Sequence, residues 1–374
     1  MKLPRMEQFY YCLLLDAVDK LSLKKSHRWS SRNLGRLPVR DRLNKSINMI
    51  LPHPLTWLSH AFRAMGSHIV LWLDTVDDAA AANAFEQIEA LFAANELALN
   101  RFRPDSELSL LNARSGQWVA VTDLLWRQVT LAVQVAALTD GRFDPTMLKA
   151  LEQAGYGQSF DTMNALNGNG PWPEEEMLLG QWAAIEFDKA NRLLRVPLGV
   201  HLDLGGIAKG DTAQQAVMSL QITGPCLVDA GGDLVAGTAP HGYPGWPVAI
   251  SAPRTGPVVE TEDLVTIWLS ESALATSGVD YRHWMQNGKA MHHLIDPITG
   301  NPSRTDGLTC TVLAREAAVA EAWATATLVA GSVAGMDALL DHDLAGLFIT
   351  QDGRILVTPP MDQIIQRQQA ELTR

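Results

Sequence analysis

Residues 200–210 read Val-His-Leu-Asp-Leu-Gly-Gly-Ile-Ala-Lys-Gly, and no other stretch constrains the fold of this chain as strongly. Apolar residues alternate from Val200 to Leu204, the period of a strand. Gly205 and Gly206 then open the backbone, and a helical pattern follows over 211–220. A glycine turn between strand and helix exposes backbone N–H groups, and the helix N-terminus adds partial positive charge. The stretch therefore suits an anion such as a phosphate, with Lys209 as a point charge; a plain Gly-rich turn accounts for the same residues. Neither familiar phosphate loop is present. Adjacent glycines break G-x-G-x-x-G, and Asp211 stands after Gly210 where a P-loop has lysine.

Elsewhere strands and helices interleave without a βαβ rhythm or a repeat, which predicts an α+β fold with a mixed sheet. Strands are expected at 68–74, 226–229, 233–236, 248–251, 264–269, 308–314, 345–349 and 354–357. A hairpin is expected over 183–197, turning at 188–191. Helices are expected at 76–99, from Ser106-Glu107 to Asn112, from an N-capping Thr122 through Leu138, at 317–330 and at 334–342. Proline interruptions and the lack of a long apolar period set residues 1–63 apart as a basic extension. The main domain then covers 64–360, with a Gly/Asn/Pro-rich joint near 155–175 and a polar helix over 361–374.

Residues 1–63 carry 12 Lys and Arg against 4 Asp and Glu, yet the 374-residue chain has a net charge of -11. That acidity argues against nucleic acid as the partner. Cys12, Cys226 and Cys310 lie far apart, which suggests neither a zinc site nor a disulfide framework. No transmembrane segment or secretory signal is read from the sequence, and the expected location is cytoplasmic.

Several polar residues are candidates for chemistry. Glu321 and Thr325 stand four apart in an Ala-rich helix and share a face, where a hard cation could engage both; a water-facing Glu321 fits the pattern equally. Asp203 and Lys209 could bracket a ligand or form a plain ion pair. His292 and His293, in a strand, would point to opposite faces, and a lone histidine such as His293 is more often structural than catalytic. Asp296 is expected to brace its Asp-Pro-Ile-Thr-Gly turn. Arg142, Phe143 and Asp144 could line a pocket or simply end a helix.

In family order, these stretches resemble the ApbE family of FAD:protein FMN transferases. The motifs are Met65-Gly66-Ser67, the 101–109 segment Arg-Phe-Arg-Pro-Asp-Ser-Glu-Leu-Ser, Gly141-Arg142-Phe143-Asp144-Pro145-Thr146 and the 203–210 segment. Ala230-Gly231-Gly232-Asp233, Ala275-Thr276-Ser277-Gly278, the 293–300 run from His293 to Gly300, and the 320–326 segment complete the series. The resemblance implies an ApbE-like fold of mixed and antiparallel sheets with flanking helices, binding FAD in a cleft between two lobes. It implies FAD contacts at Met65, Phe102, Arg142, Phe143, Asp144, Asp203, Lys209 and Ile295. It further implies Mg²⁺ held by the Gly206 carbonyl, Glu321 and Thr325. The implied reaction moves FMN from FAD to a Thr or Ser hydroxyl of an acceptor protein and releases AMP, with His293 as general base near its ordinary pKa of ~6.5. An FAD pyrophosphatase or a non-catalytic FAD-binding protein would carry similar residues. One departure stands out: the family usually has Asp where this chain has Glu321.

Overall fold

The computed structural model describes residues 35–36, 57–160, 178–254, 263–286 and 288–372, all within a compact unit spanning Gly35–Arg374. Its central sheet has nine strands: β1 (Gly35–Arg36), β2 (Leu58–Ala64), β3 (Ser67–Leu73), β4 (Cys226–Ala230), β5 (Leu234–Ala236), β6 (Ser272–Gly278), β7 (Gly307–Ala314), β8 (Ala345–Thr350) and β9 (Ile355–Val357). From β2 to β9 each strand lies beside the next in sequence, and β1 returns beside β9. Every pair is antiparallel.

Among the described residues seven α-helices accompany the sheet: α1 (Asp78–Leu99), α2 (Glu107–Asn112), α3 (Asp123–Leu138), α4 (Leu148–Gln153), α5 (Ala208–Leu220), α6 (Ala317–Asp341) and α7 (Pro359–Leu372). Side-chain caps set three of the starts. Asp77 accepts from Ala80 N, Ser106 from Ser109 N and Thr122 from Leu125 N, each satisfying an amide that the first helical turn leaves unpaired.

Alternation along β3 buries Ile69, Leu71 and Leu73 on one face. They join Phe85, Ile88 and Phe92 of α1, Ala213 and Ala216 of α5 and Ala320 of α6 in one core. On the opposite face, the hairpin Trp246–Ser251 with Asp263–Leu269 and the start of α7 enclose a second core around Trp246, Ile267, Leu347 and Met361. The arrangement is helix, sheet, ribbon. Each fully buried Leu or Ile contributes roughly 1.5–3 kcal/mol.

Residues 74–225, between β3 and β4, form one long excursion that carries α1 to α5. A small sheet of Val119–Ala120, Leu193–Arg195 and Glu186–Asp188 lies within it, with a third core around Leu125, Val129, Phe143, Leu202 and Ile207. Leu73 pairs directly with Cys226, so the excursion leaves and re-enters the sheet at neighbouring positions.

Most expected elements are present, including the hairpin at 188–191, where Asp188 accepts from Asn191 N. Two expectations change, and a third lies mostly outside the described residues. The basic extension does not run to residue 63: β2 pairs with β3 over its whole length, and β1 pairs with β9, while 1–34 and 37–56 lie outside the described residues. Most of the 155–175 joint also lies outside them. Residues 200–204 are not a strand beyond one bridge between His201 and Met147. Instead the buried Asn112 amide donates to Leu202 O (2.9 Å) and accepts from Leu202 N (2.8 Å).

Helix α6 is long and apolar enough, by length and composition alone, to cross a membrane. In this fold it is a core helix packed on β6, β7 and β8. It breaks at Gly331, whose φ of 83° suits glycine. Across the break, Thr305 donates to Leu328 O and Ser332 N donates to Asp306, both at 2.9 Å, so the exposed peptide groups are satisfied.

Candidate functional site

The 203–210 segment enters α5 without a side-chain cap at Ile207, and Lys209 lies in the first helical turn rather than before it. Asp203 Oδ1 accepts from Gly205 N at 2.8 Å and tightens the turn. Both glycines are needed for closeness. A Cβ on Gly206 would stand 2.9 Å from the Phe143 ring, and one on Gly205 would stand 3.1 Å from Asp203 Oδ1.

Asp203 and Lys209 do not pair with each other. Lys209 Nζ donates instead to Asp233 Oδ2 (3.2 Å) and Glu321 Oε1 (3.3 Å). Asp233 closes the Gly-Gly turn between β4 and β5, and Glu321 projects from the second turn of α6. The Glu321 side chain is only 5% exposed, and its Oε2 has no hydrogen-bond partner. The water-facing alternative for Glu321 is therefore excluded. Burial opposes the Lys209 charge, but the two carboxylates outweigh it and carry its pKa to about 12. Burial, with Asp233 beside it, pushes the Glu321 carboxyl well above its usual range, while Lys209 pulls the other way.

One helical turn on, Thr325 shares a hydrogen bond of 2.9 Å with Ser277 at the end of β6. Glu321 and Thr325 thus present oxygen donors beside the helix entrance, and Gly210 gives them room, since a Cβ there would overlap Glu321 Oε2. The donors are hard oxygens and one buried carboxylate oxygen is unpartnered, a set suited to Mg²⁺. Among the described residues no group of three or more His, Cys, Asp or Glu side chains could hold a metal by themselves, so a backbone carbonyl and hydroxyl would have to contribute.

Asp203 turns toward Arg101, whose Nε lies 3.5 Å from Asp203 Oδ2 and whose Nη2 donates to Tyr156 O (2.9 Å). The guanidinium is nearly buried and sits over the Phe102 ring at 4.1 Å and the Tyr156 ring at 4.8 Å. Phe102 itself is 38% exposed, which leaves ring surface for a ligand. Half-buried Arg142 and buried Phe143 precede Asp144, whose Oδ1 accepts from Thr146 N and Oγ1. Pro145 O accepts from Asp203 N at 2.8 Å, joining that segment to the 203–210 turn.

Met65 and Gly66 form the β2–β3 turn, both at positive φ (51° and 69°), the conformation that matches hairpin twist. Met65 packs against two of the cores. The Ile295 side chain lies in an apolar cluster with Met147, Leu151 and Tyr156, so its contact with any ligand would be through the backbone.

The two histidines differ. His292 ends its strand (Lys289–His292), with Nε2 at 2.9 Å from Ser303 O and Nδ1 accepting from Leu294 N, a structural role for both nitrogens. His293 lies beyond the strand, half-buried, with Nδ1 at 3.4 Å from Arg282 O. If Nδ1 carries the proton toward that carbonyl, Nε2 keeps a lone pair. The ordinary imidazole pKa expected from the sequence is not kept. Burial, reinforced by the Arg282 and Lys209 charges, drives it down to about 3. Asp296 braces its turn as expected, accepting from Ile298 N and Thr299 Oγ1.

Sequence reasoning placed Arg101, Asp233 and Ser277 in motifs but gave them no role, and did not single out Asn112. The one signal for Asp233 was its place after Gly231-Gly232.

The ApbE family model matches residues 65–348. The FAD:protein FMN transferase of Treponema pallidum is 28% identical over 296 residues, covering 73% of this chain and 78% of that protein. Its counterpart from Chlamydia trachomatis is 30% identical over 264 residues, covering 67% and 78%. An ApbE protein from Thermotoga maritima shares the fold with a TM-score of 0.70 at 25% identity, covering 83% of this chain and 99% of its own. Apo flavinyl transferase ApbE from Pseudomonas stutzeri gives 0.68 at 22%, covering 83% and 96%. With the motifs in order, the sheet and helices alike and most of the chain matched, this protein belongs to the ApbE family.

Proposed function

We propose that this protein is a flavinyltransferase that moves FMN from FAD to a Thr or Ser hydroxyl of an acceptor protein and releases AMP. The observation that carries this reading is the buried Lys209–Asp233–Glu321 cluster at the glycine entrance to α5, with Glu321 Oε2 unpartnered. The names of the curated relatives agree with it.

FAD would bind with its diphosphate along 205–210, where helix N–H groups and Lys209 favour negative charge. Met65, Phe102, Arg142, Phe143, Asp144, Asp203 and the backbone of Ile295 would hold the remainder. Glu321, Thr325 and the Gly206 carbonyl would hold Mg²⁺, and Glu321 in place of the usual Asp would favour a shifted backbone or a larger ion. Such a cation stabilises charge on the transferring and leaving phosphate oxygens. His293 would take the proton of the acceptor hydroxyl at Nε2. Its neutral ring is already in the base form, and the negative diphosphate would raise its pKa toward the working range.

The test is incubation with FAD, Mg²⁺ and a candidate acceptor domain, followed by a denaturing gel and nucleotide chromatography. Flavin fluorescence retained on the acceptor with equal AMP is expected. Free FMN and AMP in every arm would make the protein a pyrophosphatase, and tight FAD binding without AMP under any divalent ion would make it a binding protein.

A further inference from the structure

Lys209 has two carboxylates and Glu321 has one oxygen left over. We infer that Lys209 is the resident counter-ion of the Asp233–Glu321 pair, standing in the place of a divalent cation and yielding Glu321 when cation and diphosphate arrive together. The inference rests on the cation reading above and adds a direction to it: the lysine competes with the metal.

The geometry supplies the competition. Lys209 Nζ touches Glu321 Oε1 at 3.3 Å and Asp233 Oδ2 at 3.2 Å, with all three side chains 13% exposed or less. Glu321 Oε2, buried and unpartnered, faces Gly210. Two buried carboxylates thus share one ammonium, and burial beside Asp233 already pushes the Glu321 carboxyl toward its neutral form.

A divalent cation arriving alone would meet an ammonium already on its carboxylate. A diphosphate arriving alone would meet a lysine already held by two carboxylates. Together they bring no net charge, and the flexible lysine stem can carry Nζ from Glu321 to a phosphate oxygen. Cation and FAD therefore bind cooperatively, and linkage makes the effect reciprocal. Removing the lysine charge acts in opposite directions on the two ligands. The cation gains because its competitor is gone, and the diphosphate loses a partner. A lysine that only held the fold together would weaken both.

The experiment titrates Mn²⁺ into the metal-free protein by electron paramagnetic resonance, with and without FAD, and measures FAD affinity by flavin fluorescence. Without FAD, Lys209→Gln is expected to bind Mn²⁺ more tightly than wild type, by on the order of tenfold, and to bind FAD more weakly by a similar factor. Lys209→Arg keeps the charge and is expected to bind Mn²⁺ without FAD as weakly as wild type. Should Lys209→Gln fold poorly, the same ordering is read from the rise in melting temperature with Mn²⁺, which must exceed that of wild type. Unchanged or weaker Mn²⁺ binding by Lys209→Gln, in a protein whose wild type binds Mn²⁺ with FAD, overturns this inference alone. A wild type that binds no Mn²⁺ even with FAD overturns the cation reading and the inference with it.

Discussion

Gly210→Ala separates helix propensity from site geometry. Gly210 lies within α5 with ordinary helical φ, so by propensity alone alanine should stabilise the helix by about 0.8–1 kcal/mol. The added Cβ, however, would overlap Glu321 Oε2 and stand 2.7 Å from its Cδ and 3.1 Å from Ala317 Cβ. Overpacking of this kind costs about 1–3 kcal/mol. Pushing the carboxyl off Lys209 would cost about a further 1–3 kcal/mol, the penalty for a buried polar group that loses its partner. The unfavourable side wins, and the expected net loss is about 3 kcal/mol by urea denaturation, with loss of divalent-ion-dependent flavin transfer. Glu321→Asp withdraws the carboxylate by one C–C bond, about 1.5 Å, and should relieve the overlap. In a double-mutant cycle the two substitutions should couple by at least about 1 kcal/mol, with transfer restored in the double variant. A stabilised Gly210→Ala protein, or additive effects, would refute the placement of Glu321 against α5.

Substitutions at three residues, Glu321, His293 and Asn112, probe the remaining parts. Glu321→Asp is expected to keep or raise flavin transfer and Glu321→Ala to abolish it in the gel assay; full activity in Glu321→Ala would remove the carboxylate from the site's chemistry. His293→Gln should lower kcat while leaving FAD affinity roughly intact, and a loss of FAD binding alone would reassign the ring to packing. A base works only when deprotonated, so in wild type the rate is expected to fall as pH drops through the His293 pKa, which a bound diphosphate would raise from its depressed value in the free protein; His293→Gln should erase that acid limb of kcat. The free protein shows the same group in its stability. The folded pKa of about 3 lies below the unfolded ~6.5, so wild type loses stability as pH falls through this window, and His293→Gln should flatten the loss in denaturant titrations at successive pH values. Asn112→Ala leaves Leu202 N and O without the buried amide and should cost about 1–3 kcal/mol. It should also raise the KM for FAD more than it changes kcat, because it frees the backbone just before Asp203; a loss of stability with unchanged KM would confine Asn112 to the core.

Local chemistry was legible wherever neighbours in sequence decide it. Thr122 and Ser106 cap the helices they precede, Asp296 braces its own turn, and Glu321 shares a helix face with Thr325. What failed depended on distant partners. The alternating run at 200–204 has the period of a strand, yet no neighbouring strand is there to pair with it; Asn112, in a helix ninety residues earlier, takes its peptide groups instead. Opposite charges six residues apart suggested an Asp203–Lys209 pair, but α5 turns the lysine toward α6 and leaves Asp203 to Arg101. The imidazole pKa of His293 could not be read at all, because burial and the charges of Arg282 and Lys209 belong to the fold and not to the local sequence.

The pairing of Leu73 with Cys226 has a further consequence. Everything between them leaves the meander and comes back to it, and the two sides of the site are divided by that departure. Arg101, Asp144, Asp203 and Lys209 belong to the excursion, whereas Asp233, Ser277, His293 and Glu321 belong to the part of the chain that follows it. Closing so long a loop costs little more than closing one of half its length, about 0.6 kcal/mol by chain statistics. The contacts that reward the closure are nonetheless among the most distant in the chain, the kind that form slowly. A nucleotide bound between the two groups would act as a staple across the seam. Its binding free energy would be added to the stability of the closed form, by an amount set by its concentration relative to its Kd.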